Sequence, residues 1–241
     1  MKKVFIITLI HFTGFTATFA QTAKNNPGLI EVDSFAAKIN RQLNPQIIDV
    51  RTSEEFKINH IKGAIAINLK GDNYLDGLKQ FDKVKPVFIY AIQNSRPDLL
   101  AQELYKTGYT KVFELKGGIA AWIGKGYPYF SSVNSNISDT DYNKIITENK
   151  IVLVEIGTKY CGVCVKAKHI IDSLQNGVNS SYKIIELELY NNSQLVAGLK
   201  EVSAVPTLLL YKEGKINWKR TGLDFNKNDI EKQIAKAQQD F

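Results

Sequence analysis

The chain has 241 residues, of which 44% are hydrophobic, and a formal net charge of +7 at pH 7. This length and composition can fill two ordinary hydrophobic cores, so two domains of roughly 100 residues each are expected. The surplus of Lys and Arg is spread along the sequence without a basic block, which argues against a nucleic-acid-binding protein.

The first twenty residues have the pattern of a secretory signal peptide. Lys2 and Lys3 form a short basic start, residues 4–19 are mostly apolar, and small residues precede a cleavage site after Ala20. Residue 21 is Gln, so cleavage would leave no lipid-attachment cysteine, and no second apolar span of ~20 residues follows. We therefore expect an exported protein, soluble in the periplasm after cleavage.

The next part of the sequence alternates strands with helices. Asp33 predicts a helix N-cap, followed by Phe35, Ile39 and Leu43 at four-residue steps. The elements predicted after it are a strand at 46–50, a helical turn at 51–57, strands at 64–68 and 86–90, a helix at 97–107 and a strand at 111–115. This alternation predicts an α/β domain with a parallel sheet.

Several motifs in this part resemble the rhodanese family. They are Ile48-Asp49-Val50-Arg51, Glu54-Glu55-Phe56, His60-Ile61-Lys62-Gly63-Ala64, Asn68-Leu69, Gly117-Gly118-Ile119-Ala120-Ala121-Trp122 and Gly126-Tyr127-Pro128. The resemblance implies a rhodanese-like domain over residues 28–130.

The residue at the family's catalytic position differs. Rhodaneses place a persulfide-forming cysteine at the start of a six-residue loop whose N–H groups form an anion cradle. Here the loop is Ala91-Ile92-Gln93-Asn94-Ser95-Arg96, with Ala91 in place of the cysteine and Asn94 in place of the usual glycine. The resemblance therefore implies a domain without sulfurtransferase activity. Arg96 could still hold a small anion, or it could brace the loop of a docking module.

The rest of the chain repeats the α/β pattern. Residues 131–137 are small and polar and predict a linker, followed by a second domain over 138–241. Strands are predicted at 151–156, 182–189, 207–211 and 215–219, and helices at 164–174, 193–200 and 229–239. Asn228, with Glu231 three residues later, predicts the start of the last helix.

The stretch Tyr160-Cys161-Gly162-Val163-Cys164 lies between a predicted buried strand and a predicted helix. A helix N-terminus stabilises a thiolate and lowers the thiol pKa from about 8.5, so Cys161 is the candidate nucleophile. Cys164 falls on the same face one turn later and is the candidate resolving thiol. A disulfide that closes so short a loop adds little stability, which favours a redox role. The alternative is a zinc site with Cys161, Cys164 and His169, which lacks a fourth ligand.

This second part of the chain resembles the thioredoxin family over nearly its whole length. The resemblance is carried by Lys159-Tyr160-Cys161-Gly162-Val163-Cys164, Val205-Pro206-Thr207-Leu208-Leu209-Leu210-Tyr211, Glu213-Gly214-Lys215 and Gly222. It implies a thioredoxin fold with a cis-proline at Pro206, where Val205 offers backbone groups to an extended substrate strand. The substrate-binding residues that it implies are Tyr160, Gly162, Val163, Val205, Pro206 and Thr207. Glu155 aligns with the family's buried acid and would relay the proton of Cys164.

Together these features predict a thiol-disulfide oxidoreductase that acts on disulfides of exported proteins and needs no cofactor or metal. We favour the reductase direction, because Cys-Gly-x-Cys combined with Val-Pro-Thr resembles the reducing members of the thioredoxin family. A reductase outside the cytoplasm would need a membrane thiol-electron donor. Two alternatives stand beside this prediction: a sulfur-compound or anion-binding docking protein without redox turnover, and a sulfurtransferase that carries a persulfide on Cys161.

Overall fold

The computed structural model describes residues 28–71, 73–92, 95–175 and 181–239. The predicted signal peptide with its cleavage site after Ala20, and Gln93 and Asn94 of the predicted loop, lie outside these residues. Within the described ranges, no helix combines the length and the apolar character that a membrane span requires.

The first domain contains a five-stranded parallel sheet. The strands of this domain are β1 (Leu29–Ile30), β2 (Gln46–Asp49), β3 (Asn59–Ile61), β4 (Ala64–Ala66), β5 (Val87–Tyr90), β6 (Val112–Leu115) and β7 (Tyr129–Ser131). Its helices are α1 (Val32–Asn40), α2 (Ser53–Ile58), α3 (Tyr74–Leu78), α4 (Ser95–Lys106) and α5 (Gly118–Gly124). The sheet order is β1-β6-β5-β2-β4, and β3 and β7 form a separate antiparallel ribbon. The predicted parallel α/β domain is confirmed.

The second domain contains a four-stranded mixed sheet with the order β11-β10-β8-β9. Its strands are β8 (Ile151–Gly157), β9 (Lys183–Glu188), β10 (Thr207–Lys212) and β11 (Lys215–Thr221). Its helices are α6 (Asp139–Glu148), α7 (Gly162–Gln175), α8 (Ser193–Leu199) and α9 (Lys227–Gln239), with a 3₁₀ turn at Tyr190–Asn192. Strands β8 and β9 are parallel, whereas β10 runs antiparallel to both β8 and β11.

The N-cap predicted for the first helix is wrong. Helix α1 begins after the extended residue Glu31, so Asp33 lies inside its first turn. The helix ends at Asn40, and Leu43 lies beyond it with 96% of its surface exposed. The four-residue spacing of apolar side chains therefore extends one step beyond the end of helix α1.

The capping residues predicted for the last helix are also wrong. The side-chain oxygen of Asn226 accepts the N–H of Asp229 at 3.1 Å, and the Asp229 carboxylate accepts the N–H of Asn226 at 2.9 Å. This reciprocal pair begins the helix two residues before Asn228, because Asn226 satisfies the free N–H groups first.

The segment predicted as a linker, residues 131–137, is hydrogen-bonded to both domains. The N–H of Ser132 donates to the carbonyl of Ile58 at 2.9 Å, and the N–H of Asn136 donates to the carbonyl of Asn191 at 3.0 Å. The chain therefore passes from one domain to the other along the surface of both.

One hydrophobic cluster extends through the two domains. It includes Phe88 and Trp122 from the first domain and Val154, Cys161 and Val205 from the second. The opposite faces of the two sheets have separate clusters. Because helix α5 packs against helix α8, the inner faces of the domains form a shared buried contact.

Candidate active site

The cysteine pair lies where strand β8 is followed by helix α7. Cys161 directly precedes the first helical residue, and it forms a disulfide with Cys164 whose Cα atoms are 5.2 Å apart. The N–H of Cys164 donates to Sγ of Cys161 at 3.3 Å. An N–H donor at a helix N-terminus stabilises negative charge, so this geometry suits a thiolate on Cys161.

The segment that precedes β10 faces the disulfide. The Val205–Pro206 peptide bond is cis, as predicted, and the carbonyl oxygen of Val205 lies 4.0 Å from Sγ of Cys161. Thr207 begins β10, and its hydroxyl donates to the carbonyl of Ala204 at 2.7 Å. Val205 therefore lies beside the candidate nucleophile, and Pro206 and Thr207, the other two predicted substrate-binding residues of this segment, follow it in the chain.

The other three predicted substrate-binding residues surround Cys161 in sequence. Tyr160 is half-buried, its ring stacks on that of Tyr190 with centroids 5.5 Å apart, and its hydroxyl donates to the carboxylate of Glu54 at 2.5 Å. Gly162 is exposed and Val163 is half-buried. Because Glu54 belongs to the first domain, Tyr160 is part of the contact between the domains.

Glu155 lies beneath helix α7 and is 5% exposed. Burial raises the pKa of its carboxyl group to about 8, and the neighbouring carboxylate of Glu186 adds to the rise. A side chain at Gly157 would overlap this carboxyl group and lie 3.4 Å from Cβ of Cys164, so glycine keeps the space between them free. Glu155 and Cys164 also line one cavity of about 370 Å³. A carboxyl group with this pKa can accept and return the proton of a thiol.

Lys168 is a residue of this site that the sequence analysis missed. Its ammonium group contacts the carboxylates of Asp172 at 2.9 Å and Glu186 at 2.5 Å, and Glu186 lies directly opposite Glu155 on the neighbouring strand. The positive charge of Lys168 lowers the pKa of Glu155 against the effect of burial. Its position four residues after Cys164, one helical turn, was the available signal.

Ala91 occupies the corresponding place in the first domain, after strand β5. It is completely buried, and its carbonyl accepts the N–H of Ile119 at 2.8 Å. Of the predicted loop, Ser95 and Arg96 lie in the first turn of α4 and Ile92 is buried. Arg96 forms an ion pair at 3.5 Å with Glu55, which braces the residue within the first domain.

Arg51 is a buried charge in the first domain. It belongs to the motif Ile48-Asp49-Val50-Arg51, but no role was predicted for it from the sequence. Its guanidinium forms an ion pair with Asp49 at 2.7 Å and donates to Asn59 through both terminal nitrogens. It also lies 5.3 Å from the ring centroid of Tyr190 in the second domain. The motif therefore contributes a fixed cation to the surface between the domains.

The described residues contain no group of three or more His, Cys, Asp or Glu side chains arranged to hold a metal ion. His169, considered above as a zinc ligand, is exposed and borders the Glu155 cavity. Cys161 and Cys164 instead bond to each other.

Comparisons with known proteins place each half of the chain in a family. Residues 31–125 match the rhodanese-like domain family, and residues 133–236 match the thioredoxin family. YqhL of Bacillus subtilis (strain 168) is 40% identical over 80 residues, which cover 33% of this chain and 62% of YqhL. The thiosulfate sulfurtransferase GlpE of Shewanella oneidensis is 32% identical over 77 residues, which cover 32% of this chain and 74% of GlpE.

Among solved structures, a mutant thioredoxin from Halobacterium salinarum NRC-1 is 20% identical, with a TM-score of 0.38. That match covers 44% of this chain and 88% of the thioredoxin. The chain belongs to the rhodanese-like family through its first domain and to the thioredoxin family through its second. Its function is therefore related to thiols or redox chemistry, and the thioredoxin domain supports thiol oxidoreductase activity in general.

Proposed function

We propose that this protein reduces disulfides of exported proteins through Cys161 and Cys164. The observation that carries the proposal is the hydrogen bond from the N–H of Cys164 to Sγ of Cys161 at the start of α7. This donor stabilises a thiolate on the sulfur that also faces the Val205 carbonyl. One nucleophile, one resolving thiol and one backbone acceptor for substrate are therefore close together.

In the first step, the backbone of Val205 holds an extended segment of the substrate. The Cys161 thiolate attacks one sulfur of the substrate disulfide and forms a new S–S bond with it. The other substrate sulfur leaves as a thiolate and takes a proton from solvent. A mixed disulfide now joins the enzyme to its substrate.

In the second step, ionised Glu155 accepts the proton of the Cys164 thiol. The Cys164 thiolate attacks Sγ of Cys161, forms the internal disulfide and releases the second substrate sulfur as a thiolate. Protonated Glu155 supplies the proton that this thiolate gains. Two electrons have then passed from the dithiol to the substrate, so each turnover requires an external dithiol donor, which we propose to be a membrane thiol-electron transporter.

Two parts of the proposal rest on the sequence. The reductase direction is supported by the pairing of Cys161-Gly162-Val163-Cys164 with Val205-Pro206-Thr207. The exported location is supported by the signal-peptide pattern of residues 1–20.

A docking role without redox turnover is the second candidate. The observation that favours docking over anion binding in the first domain is the pairing of Arg96 with Glu55. Glu55 in turn accepts a hydrogen bond from the hydroxyl of Tyr190 in the second domain at 3.0 Å. The charge that could hold an anion is thus paired with a residue that contacts the second domain.

A redox titration tests the proposal. The full chain is equilibrated in glutathione buffers and the Cys161–Cys164 pair is quantified by alkylation and mass spectrometry, with Cys161→Ser as the blank. We expect a reduction potential near or below about −230 mV, whereas a value near about −120 mV would indicate an oxidant or isomerase. A pair with no reversible transition would contradict redox turnover and leave the docking role.

A further inference from the structure

The sulfur that must react is inaccessible when the two domains are packed together. Cys161 is 1% exposed and Cys164 is 3% exposed. Attack on a protein disulfide requires a third sulfur to approach Sγ of Cys161 in line with the new bond. A folded or extended substrate chain has no room for that approach in this arrangement.

The segment that would bind the substrate contacts the first domain. A side chain at Gly117 would overlap the carbonyl oxygen of Ser203, and one at Gly124 would overlap the carbonyl oxygen of Val202. These two glycines therefore let helix α5 approach the backbone that leads to Val205. The same hydrophobic cluster contains Val205 and Cys161 together with side chains of α5.

Polar contacts on the other side of the dithiol complete the interface. Tyr160, next to the nucleophile, donates to Glu54, and Tyr190 donates to Glu55. The guanidinium of Arg51 lies over the ring of Tyr190. The contacts of the first domain thus flank Cys161 both at Tyr160 and at the Val205 segment.

Among the described residues, two cavities lie near the dithiol, and Cys161 lines neither of them. A cleft of about 560 Å³ lies between the domains and is lined by Lys116, Lys125, Val205 and Gly222, among others, but not by Cys161. The second space is the cavity at Glu155, which Cys164 lines. Protons can therefore reach the resolving thiol while the nucleophile stays covered.

We propose that the rhodanese-like domain is an intramolecular cover of the dithiol, and that the domains must separate before a protein disulfide can react. This inference rests on the proposed function, because it concerns access to the same two cysteines. In it the first domain, which has Ala91 in place of a nucleophile, controls the reactivity of the second. Its charged residues Arg51, Glu54 and Glu55 serve as the contact surface that keeps the cover closed.

Gly124→Ala is designed to open the cover without touching the dithiol. Gly124 is the last residue of α5 and has no left-handed backbone conformation, so alanine fits the helix itself. Its Cβ would nevertheless overlap the carbonyl oxygen of Val202 across the interface. The matched control is Gly198→Ala, in helix α8, where an added Cβ meets no atom within 4 Å.

The test uses the full chain, reduced and then freed of reductant. Single-turnover rates are measured with insulin as the protein disulfide and with a small aromatic disulfide as a probe of intrinsic reactivity. We expect Gly124→Ala to reduce insulin on the order of 10-fold faster than the wild type, because the variant raises the population of the open state. The aromatic disulfide should gain less, and Gly198→Ala should match the wild type with both probes.

Two results would contradict the proposal that the first domain covers the dithiol. If the wild type and both variants reduce insulin at the same rate, the packed arrangement does not limit access. If no protein reacts with even the small disulfide, the proposed function itself fails and the cover fails with it. Circular dichroism and thermal unfolding establish that the variants fold. Should Gly124→Ala not fold, Glu54→Ala replaces it, since it removes the Tyr160 contact, and a smaller acceleration is expected.

Discussion

In each domain, the position at which the family has its reactive cysteine follows a buried strand and precedes a helix. In the first domain this residue is Ala91, between β5 and α4, and in the second it is Cys161, between β8 and α7. Free N–H groups at a helix N-terminus favour an anion at such a position. In the second domain an N–H donates to a sulfur, whereas the first domain offers a methyl group. The same local architecture therefore presents a sulfur atom in the second domain and a methyl group in the first.

The charged residues near the two positions are also used differently. Around Ala91, Arg96 is paired with Glu55, and Glu55 contacts Tyr190 of the other domain. Around Cys161, the buried acid Glu155 faces the resolving thiol and has a pKa of about 8. The charges near Ala91 belong to the contact between the domains, whereas those near Cys161 surround the carboxyl group to which we assign proton transfer.

The largest expected effect comes from replacing the candidate nucleophile Cys161. Cys161→Ser should lower the rate of disulfide reduction by on the order of 10³-fold or more, because serine has no sulfur with which to form the mixed disulfide. The rate is measured with reduced protein and the small aromatic disulfide. A loss of less than about 10-fold would show that Cys161 is not the attacking sulfur.

The reciprocal change tests the first domain. Ala91→Cys, made in the Cys161→Ser background, should take up no sulfur from thiosulfate, because residue 91 is completely buried. Intact-protein mass spectrometry detects a persulfide as one added sulfur atom. Sulfur on this variant but not on Cys161→Ser alone would mean that the first domain lacks only its nucleophile, and sulfur on the wild-type Cys161 would support the sulfurtransferase alternative.

The next effect concerns stability of the first domain. Arg51→Met leaves the buried carboxylate of Asp49 without its cation, so we expect the free energy of unfolding to fall by about 3–5 kcal/mol. The control is Arg220→Met, whose exposed pair with Asp224 spans 3.9 Å and should contribute less than about 1 kcal/mol. Urea unfolding followed by fluorescence measures both. Equal losses in the two variants would contradict the structural role of the buried pair.

The sequence predicted most of the sheet strands and most of the helices of both domains, because the signals are local, but it did not predict β1, β3, β7, α3, α5 or α6. Alternating strands and helices, the three-residue spacing of Cys161 and Cys164, and the Val205-Pro206 dipeptide all act within a few residues. Helix ends were less accurate, since several polar residues compete for the cap, as Asn226 and Asn228 do.

The contacts between the domains could not be predicted in the same way. Tyr160 and Glu54 are separated by 106 residues, and Tyr190 and Glu55 by 135 residues. No periodicity in a single sequence relates residues at such distances. Cys161 is buried in a cluster that includes side chains of the first domain, and the motif that identified the nucleophile gave no sign of this packing.

Another prediction concerns Glu155, the acid beside the resolving thiol. Glu155→Gln should slow reduction by on the order of 10²-fold, because the amide cannot accept the proton of Cys164. In the wild type, the rate of the resolving step should rise as Glu155 ionises near its pKa of about 8. Stopped-flow measurements over a range of pH values follow this step. A variant with an unchanged rate would exclude Glu155 from proton transfer.

The same residue makes stability depend on pH. The pKa of Glu155 is raised from 4.5 to about 8, so the folded state binds the proton more tightly than the unfolded state does. Its contribution to stability is therefore complete below pH 4.5 and is lost as the pH rises towards about 8. Glu155→Gln should remove this decline. Urea unfolding at several pH values compares the variant with the wild type.

The smallest expected effect comes from Lys168, which separates the role of charge from that of burial at Glu155. Lys168→Met removes a cation that lowers the pKa of Glu155 and leaves the Glu186 carboxylate uncompensated, so that pKa should rise. The pH profile of the resolving step should then move to higher pH by less than about one unit, since Lys168 is partly exposed and screened. Lys166→Met, on the exposed face of the same helix, is the control. No shift, or the same shift in both variants, would mean that the charge of Lys168 does not set the protonation of Glu155, and a shift to lower pH would contradict the effect assigned to Lys168.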